Sequence, residues 1–379
     1  ALRSFGLHVK MQSLWPAVST RPASTSTGQG LAAAVCSRPI GSERGSKFSR
    51  KARSLAALAV LVPFRPRRRQ RGRMAMVPRF AVAQDSGVLL IEHLNLNVSN
   101  GQVALDFYEA LGCCRDARRP LTKTLHSNCG TLTQFHTPSP DNEAYIADAG
   151  PQQWRGQISL AYPTAAQLNE AAERLRHLQS KEHFRETKLD VGDWQEKSQD
   201  LKVLGPYGNR FHLHVASDDL RHALGTAGRP GSEKSTCVGM DALTLEVPVG
   251  TAEKAAQFYK EVLGCELTEG PMPGVLAGPG LKQELCFQEV EGCTGAELGE
   301  HMAIYVADFE GCFQRLLDRG LIWVNPRFVH LDKSTNLEEA LHYSCFRFKD
   351  VVDVSSGQKL FELEHEVRNT GHKSWPLAR

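Results

Sequence analysis

The chain has 379 residues, 41% of them hydrophobic and 23% charged, which suffices for two packed domains and additional sequence. Its net charge of +3 conceals a polarity: residues 1–84 hold 16 Lys and Arg against the single acid Glu43, leaving 29 bases and 41 acids for the remainder. An acidic body of this kind excludes nucleic acid and anionic membrane as the main partner.

Residues 1–84 are rich in Arg, Ser and Ala, the composition of an organelle transit peptide, plastid or mitochondrial, with processing expected between Arg73 and Ser86. The run Arg65–Arg73 reads alternatively as a nuclear signal or a basic tail. Leu55–Val62 is apolar but far too short to span a bilayer, so no membrane span is expected. The ten cysteines show no C-x-x-C and no paired spacing, which predicts small buried thiols in a reducing compartment.

The body divides into four units. The first opens with a strand over Leu90–Val98 and a helix over Val103–Leu111. The second opens with Gly156–Tyr162 and a helix beginning at Thr164, where Gln167 completes a capping box and Leu168, Ala171, Leu175 and Leu178 share one face. The linker Gly225–Ser235, rich in Gly, Pro and Ser, separates these two units from the next two. The third opens with Met240–Val247 and a helix over Ala252–Leu263. The fourth opens with His301–Phe309 and a helix over Glu310–Arg319 that stops at Gly320. Further strands are expected at Gly130–Thr137, Asn209–Val215, Gln283–Val290 and Lys359–Val367, so each unit is one strand, one helix and about three strands. ALDFYEALGC (Ala104–Cys113) and AAQFYKEVLGC (Ala255–Cys265) repeat one helix pattern, and Gly112 and Gly264 stop it. The chain is a duplication, whose chemistry is to be sought at equivalent positions.

Strand alternation sets His93, Asn95 and Asn97 against Leu94, Leu96 and Val98, and Arg210, His212 and His214 against Phe211, Leu213 and Val215. His93, Gln157 and His301 each lie five residues before the end of a first strand, and so hold one structural position. His212 lies four residues after Gly208, and Glu362 takes the corresponding place after Gly357 if one extra residue is allowed. His, Gln and Glu on polar faces are metal-ligand types. A lone His on such a face is more often merely solvated, and His126, His136, His177 and His222 are read that way.

At HLNLNV…ALDFYEALGC, GPYGNRFHLH, LTLEV…AAQFYKEVLGC and HMAIYVADF the chain resembles the vicinal oxygen chelate superfamily, which includes glyoxalase I, bleomycin-resistance proteins and extradiol dioxygenases. The resemblance covers roughly Leu89 to Val367. It implies an α+β fold of two domains, 85–224 and 236–368, each built from paired βαβββ units closing an open, barrel-like cleft, with a tail over 369–379. It also implies a divalent metal (Fe, Zn, Ni or Mn) held by residues of first and last strands. Carried over, the first domain offers His93, Gln157 and His212. The second offers His301 and Glu362, with Glu362 as a catalytic base and Ala242 in the remaining first-strand place. Gln134 or His136, and Glu284 or Gln288, stand at the ends of units one and three. His365 and Arg368 read as an edge strand and solvated tail, or as an anion contact at the cleft mouth.

The expected function is therefore a metal-dependent enzyme acting on a small oxygen-bearing substrate, a glyoxalase-like lyase or isomerase in preference to a ring-cleaving dioxygenase. The alternatives are a ligand-binding protein of the bleomycin-resistance type and a structural subunit of an organelle complex. A homodimer is compatible with each.

Overall fold

The computed structural model describes residues 87–119, 124–138, 151–195, 198–217, 228–278, 283–296, 298–329 and 332–377. These lie within one compact unit, Met76–Arg379. The proposed targeting segment falls outside the described residues, as does much of the linker.

The four units appear as the alternation requires. The first comprises β1 (Val88–Asn95), α1 (Gly101–Ala110), β2 (Cys114–Arg115), β3 (Thr124–Cys129) and β4 (Thr133–Pro138). The second comprises β5 (Gly156–Tyr162), α2 (Ala165–Gln179), β6 (Asp190–Val191), β7 (Asp200–Leu204) and β8 (Arg210–Val215). The third has β9 (Gly239–Val247), α3 (Ala252–Leu263), β10 (Glu266–Leu267), β11 (Gly274–Ala277) and β12 (Gln283–Glu289). The fourth has β13 (His301–Val306), α4 (Phe309–Leu317), β14 (Ile322–Trp323), α5 (Leu337–Tyr343), β15 (Cys345–Val352) and β16 (Lys359–Arg368). Local sequence sets the helix limits. The Asn100 side chain accepts the Gln102 and Val103 amides at the start of α1, and Thr164 accepts the Gln167 amide at the start of α2. Gly264, at φ +78°, ends α3 in the left-handed conformation.

The fold is α+β, with two eight-stranded mixed sheets and no closed barrel. One sheet runs β14-β15-β16-β13-β1-β4-β3-β2 and the other β10-β11-β12-β9-β5-β8-β7-β6. Within every unit the first strand lies parallel to the last. Units meet through antiparallel first strands, and here the structure corrects the expected partnership. β1 pairs with β13 and β5 pairs with β9, so unit one shares its sheet with unit four and unit two with unit three. The polar sheet faces are therefore assembled across the linker and not within either half.

The helices join the units of each half. Arg174 of α2 donates to Ala110 O at the end of α1, and buried Tyr162 donates its hydroxyl hydrogen to Leu111 O at 2.6 Å. Tyr108 of α1 meets Phe135 of β4, and Phe107 meets Phe211 of β8. In the second half Phe258 and Tyr259 of α3 pack on Phe348 and Phe287. The repeated Phe-Tyr pair is thus the wedge between sheets, and its burial supplies the main driving force for the repeat's packing. Among the described residues no helix is long and apolar enough to cross a membrane.

Candidate metal centre

The register of the first sheet brings chemistry-bearing residues to its centre. His93 on β1 pairs with Ala303 on β13, and Asn95 with His301. Ala303 pairs in turn with Glu366 on β16, and Asn95 with His136 on β4. His93, His301 and Glu366 thereby converge, with ligand atoms all within 4.8 Å of one another. Nε2 of His93 stands 3.9 Å and Nε2 of His301 3.5 Å from Glu366 Oε2. All three residues are buried.

The imidazoles are aimed. Nδ1–H of His93 donates to Glu92 Oε2 at 2.6 Å, which leaves Nε2 as the lone-pair nitrogen facing Glu366. A carboxylate behind a histidine in this way fixes tautomer and orientation in metal sites. Burial pushes His93 down to about 4, with Glu92 opposing in part, so its ring is neutral at neutral pH. Burial alone would raise Glu92, but Arg229, His93 and Arg368 hold it well below the usual carboxylate range. Glu366 likewise stays ionised despite burial, because Arg368 and Arg347 flank it. Nε2 of His301 is buried and makes no hydrogen bond among the described residues.

That orphaned nitrogen is the test of fit. An unpaired buried polar atom is costly, and a cation held between it, His93 Nε2 and Glu366 Oε2 would satisfy it. Around it the buried carboxylates Glu92, Glu364, Glu366 and Asp332 are interleaved with the buried guanidinium groups Arg229, Arg347 and Arg368. Two histidines and one carboxylate are the donor set of an open facial triad.

Around the triad a cavity of about 1230 Å³ opens, lined among others by Asp116, Arg118, Arg119, Phe328, His372 and Lys373. His136 stacks on His93 with centroids 3.7 Å apart, and His126 stacks on His136 at the same separation. Burial lowers His136 well below its ordinary range and His126 to about 3. Nε2–H of His136 donates to Gln134 Oε1 at 2.9 Å, and Gln134 is itself anchored by Nε2 to Asn128 Oδ1 at 2.6 Å. Nδ1 of His136 is thus its proton-accepting nitrogen.

Of the predicted ligands, His93 and His301 meet, although the sequence assigned them to different domains. Gln157 and His212 lie on the second sheet, where Ser159 pairs with both His212 and Ala242. Ala242, Gln157 and His212 hold there the places of His93, His301 and Glu366, so the second sheet carries a depleted copy. His212 Nε2 bonds Asp200 at 2.9 Å instead of joining His93. Glu362 was the expected carboxylate, and the one the structure brings to His93 and His301 is Glu366. Glu362 pairs with Asp350 and is drawn down by hydrogen bonding from Lys359 and by Lys349, away from the triad. The register of β16 on β13, which sets Glu366 opposite Ala303, is not legible by counting from Gly357. His136, expected to be solvated, is buried beside the triad, whereas Gln134 serves only as its anchor. At the end of unit three Cys286 holds the place equivalent to His136, between Glu284 and Gln288. Arg368 is no solvated tail residue: it donates to Glu92 and Glu366 inside the sheet. His365 is buried on the opposite face, bonded to Tyr259 at 2.6 Å. Sequence reasoning also missed Glu92, whose only signal was its adjacency to His93.

No protein-family model and no curated protein matches the chain. Among solved structures it is similar to glyoxalase I from Zea mays, at 13% identity over 75% of this chain and 92% of that one, with a TM-score of 0.45. It is similar to the cppA protein from Streptococcus pneumoniae TIGR4, at 10% identity over 75% and 99%, with a TM-score of 0.39. It is also similar to the 2,3-dioxygenase LapB from Pseudomonas sp. KL28, at 13% identity over 76% and 94%, with a TM-score of 0.25. At these values no activity transfers from them to this chain.

Proposed function

We infer that this chain, built on the paired βαβββ units of the vicinal oxygen chelate fold, is a divalent-metal-dependent enzyme that opens or oxygenates a small substrate bearing adjacent oxygens. The observation that carries the reading is the convergence of His93, His301 and Glu366 with an unsatisfied nitrogen at its centre. Those three residues would hold the ion on one face, and a bound divalent ion would supply Lewis acidity with open positions for a chelating substrate.

The remaining chemistry belongs to the chain. Glu92 holds His93 in the required tautomer. Arg347 and Arg368 keep Glu366 ionised at neutral pH. His136, kept neutral by burial and stacked on His93, presents Nδ1 as a hydrogen-bond acceptor beside the triad, where it would orient a substrate hydroxyl. Arg118, Arg119 and Lys373 line the cavity and favour an anionic substrate.

An iron-dependent, ring-cleaving dioxygenase is favoured over a glyoxalase-like lyase. Gln157 lies on the other sheet, and the position beside the triad holds His136 instead of a carboxylate. The test is anaerobic reconstitution with Fe(II), Zn(II) or Ni(II), followed by oxygen uptake on a panel of catechol carboxylates. Oxygen consumption that requires Fe(II) and is lost in His301→Ala supports the reading. Isomerisation of a hemithioacetal with Zn(II) or Ni(II) and no oxygen uptake replaces it with the lyase. Ligand binding with no metal retained replaces it with the ligand-binding alternative, which the pairing of Glu366 with two arginines favours.

A further inference from the structure

A second cluster of ligand atoms lies away from the triad. Cys113 follows Gly112 at the end of α1, Cys129 ends β3, and Cys237 precedes β9. The three Sγ atoms lie within 4.8 Å of one another, and those of Cys129 and Cys237 are 3.4 Å apart. All three residues are buried and free of disulfides.

The backbone brings these sulfurs together without help from them. Gly112 O accepts the Thr236 amide at 2.8 Å and the Ser235 hydroxyl at 2.9 Å. The Gly130 amide donates to Ser235 Oγ at 2.9 Å. Approach is so close that a Cβ on Gly112 would stand 2.2 Å from Thr236 Oγ1, and one on Gly130 1.7 Å from Val238 O. Both glycines have positive φ, +86° and +65°. Three distant segments are therefore locked before any sulfur chemistry occurs.

Their surroundings suit a cation held by thiolates. The cluster sits at the carbonyl end of α1, whose negative potential opposes thiolate charge. Arg174 reaches the same end to donate to Ala110 O, and its Nη2 has no partner among the described residues, so a positive group stands ready to offset thiolate charge. Three bonds of about 2.3 Å to one central ion place sulfurs about 4 Å apart, within the observed spread. A disulfide would use two of the three sulfurs and leave the third without a role. Nor is the trio a by-product of the repeat. Cys265 holds the place of Cys113 in the second half, but no three-sulfur group forms there among the described residues.

We propose that Cys113, Cys129 and Cys237 form a closed three-thiolate site for a soft, thiophilic cation, with copper(I) favoured because three sulfurs and no fourth ligand suit a univalent ion. Binding breaks three S–H bonds, releases three protons to buffer and forms three sulfur–metal bonds. No electron moves when the copper is supplied as Cu(I). The ion would clip the end of α1 and the end of β3 to the entry of β9, tying the two halves together.

The test uses the full chain, purified anaerobically with a non-thiol reductant. Cu(I) is offered as its acetonitrile complex against a chromogenic Cu(I) chelator, and Zn(II) is offered in a parallel arm. One equivalent of Cu(I) retained by wild type and by Cys265→Ser and His301→Ala, but lost in Cys113→Ser, Cys129→Ser and Cys237→Ser, is expected; the Zn(II) arm is read in the His301→Ala background, where the triad is incomplete. X-ray absorption on the wild type, which needs no variant, should find sulfur neighbours only. Zinc(II) bound by the same three sulfurs supports the site and changes only the ion. Failure to retain either ion, retention unchanged in the three serine variants, or nitrogen and oxygen neighbours in the absorption spectrum overturns the proposal. So does a Cys129–Cys237 peptide pair lighter by two hydrogens in the anaerobic protein.

Discussion

Glu92 does three things at once: it orients His93, and it compensates Arg229 and Arg368 in the interior. Glu92→Gln keeps a hydrogen-bond acceptor but removes the charge, so metal affinity should fall ~10–100-fold. Stability should also drop by about 3 kcal/mol, since two buried cations lose a partner. Anaerobic metal titration and urea denaturation separate these effects. Glu366→Gln should abolish metal retention, whereas Glu362→Gln and His212→Ala should leave it unchanged; the reverse pattern returns the ligands to the positions read from sequence.

The interior histidines dictate the response to acid. His93 and His372 are pushed to about 4, and His126 and His365 to about 3, by burial in each case. Unfolded histidine titrates near 6.5. Between those values the unfolded chain binds more protons, so each group's contribution is complete above about 6.5 and is lost as pH falls through its folded value. Glu300 runs the other way. Burial, partly offset by Arg155, raises it to about 7, so its contribution is complete below the ordinary carboxylate range and lost as pH climbs through 7. Four histidines outweigh one glutamate, and unfolding free energy should decline steeply from pH 6.5 to 4, by up to about 1.4 kcal/mol per pH unit per group. Denaturant midpoints that stay flat across that interval would contradict the burial of these rings.

At the scale of elements, Gln283 on β12 shows how the sheets are coupled. Its Oε1 accepts the Ile91 amide at 2.9 Å, and its Nε2 donates to Ile91 O and Met240 O at 3.0 and 2.8 Å. One side chain thus joins β1 of one sheet to β9 of the other. Gln283→Leu should cost about 2 kcal/mol or more, because three backbone groups lose a buried partner. The elements themselves were legible. Period-two and period-3.6 patterns located the strands and helices, and Gly112 and Gly264 marked helix ends. Register was not. Glu362, Glu364 and Glu366 share one face of β16 by alternation, and nothing local says which of them reaches the centre. The parallel pairing of β16 with β13, which sets Glu366 opposite Ala303, decides it. His136 was misjudged because alternation does not show that the rings of His93 and His126, on the two neighbouring strands, close over it.

At the scale of the whole molecule, the repeat revealed four units but not their partners. A first strand presents an equivalent edge in each unit, and sequence distance suggested pairing within halves. The structure instead pairs one with four and two with three. Residues 87–217 or 228–377 alone would each expose two unpaired first-strand edges, β1 and β5 or β9 and β13. Each fragment should be unfolded or associate with itself, while coexpression of the two should restore a one-to-one complex with native helix content. A fragment that is monomeric and cooperatively folded by itself would refute the cross-pairing.

Because His93 leaves the ribosome early and Glu366 among the last strands, no nascent fragment possesses the complete triad. Capture of an ion by the triad would thereby be deferred until translation has delivered β16, and a premature stop upstream of it would leave that centre without Glu366, however well the opening segments have begun to fold.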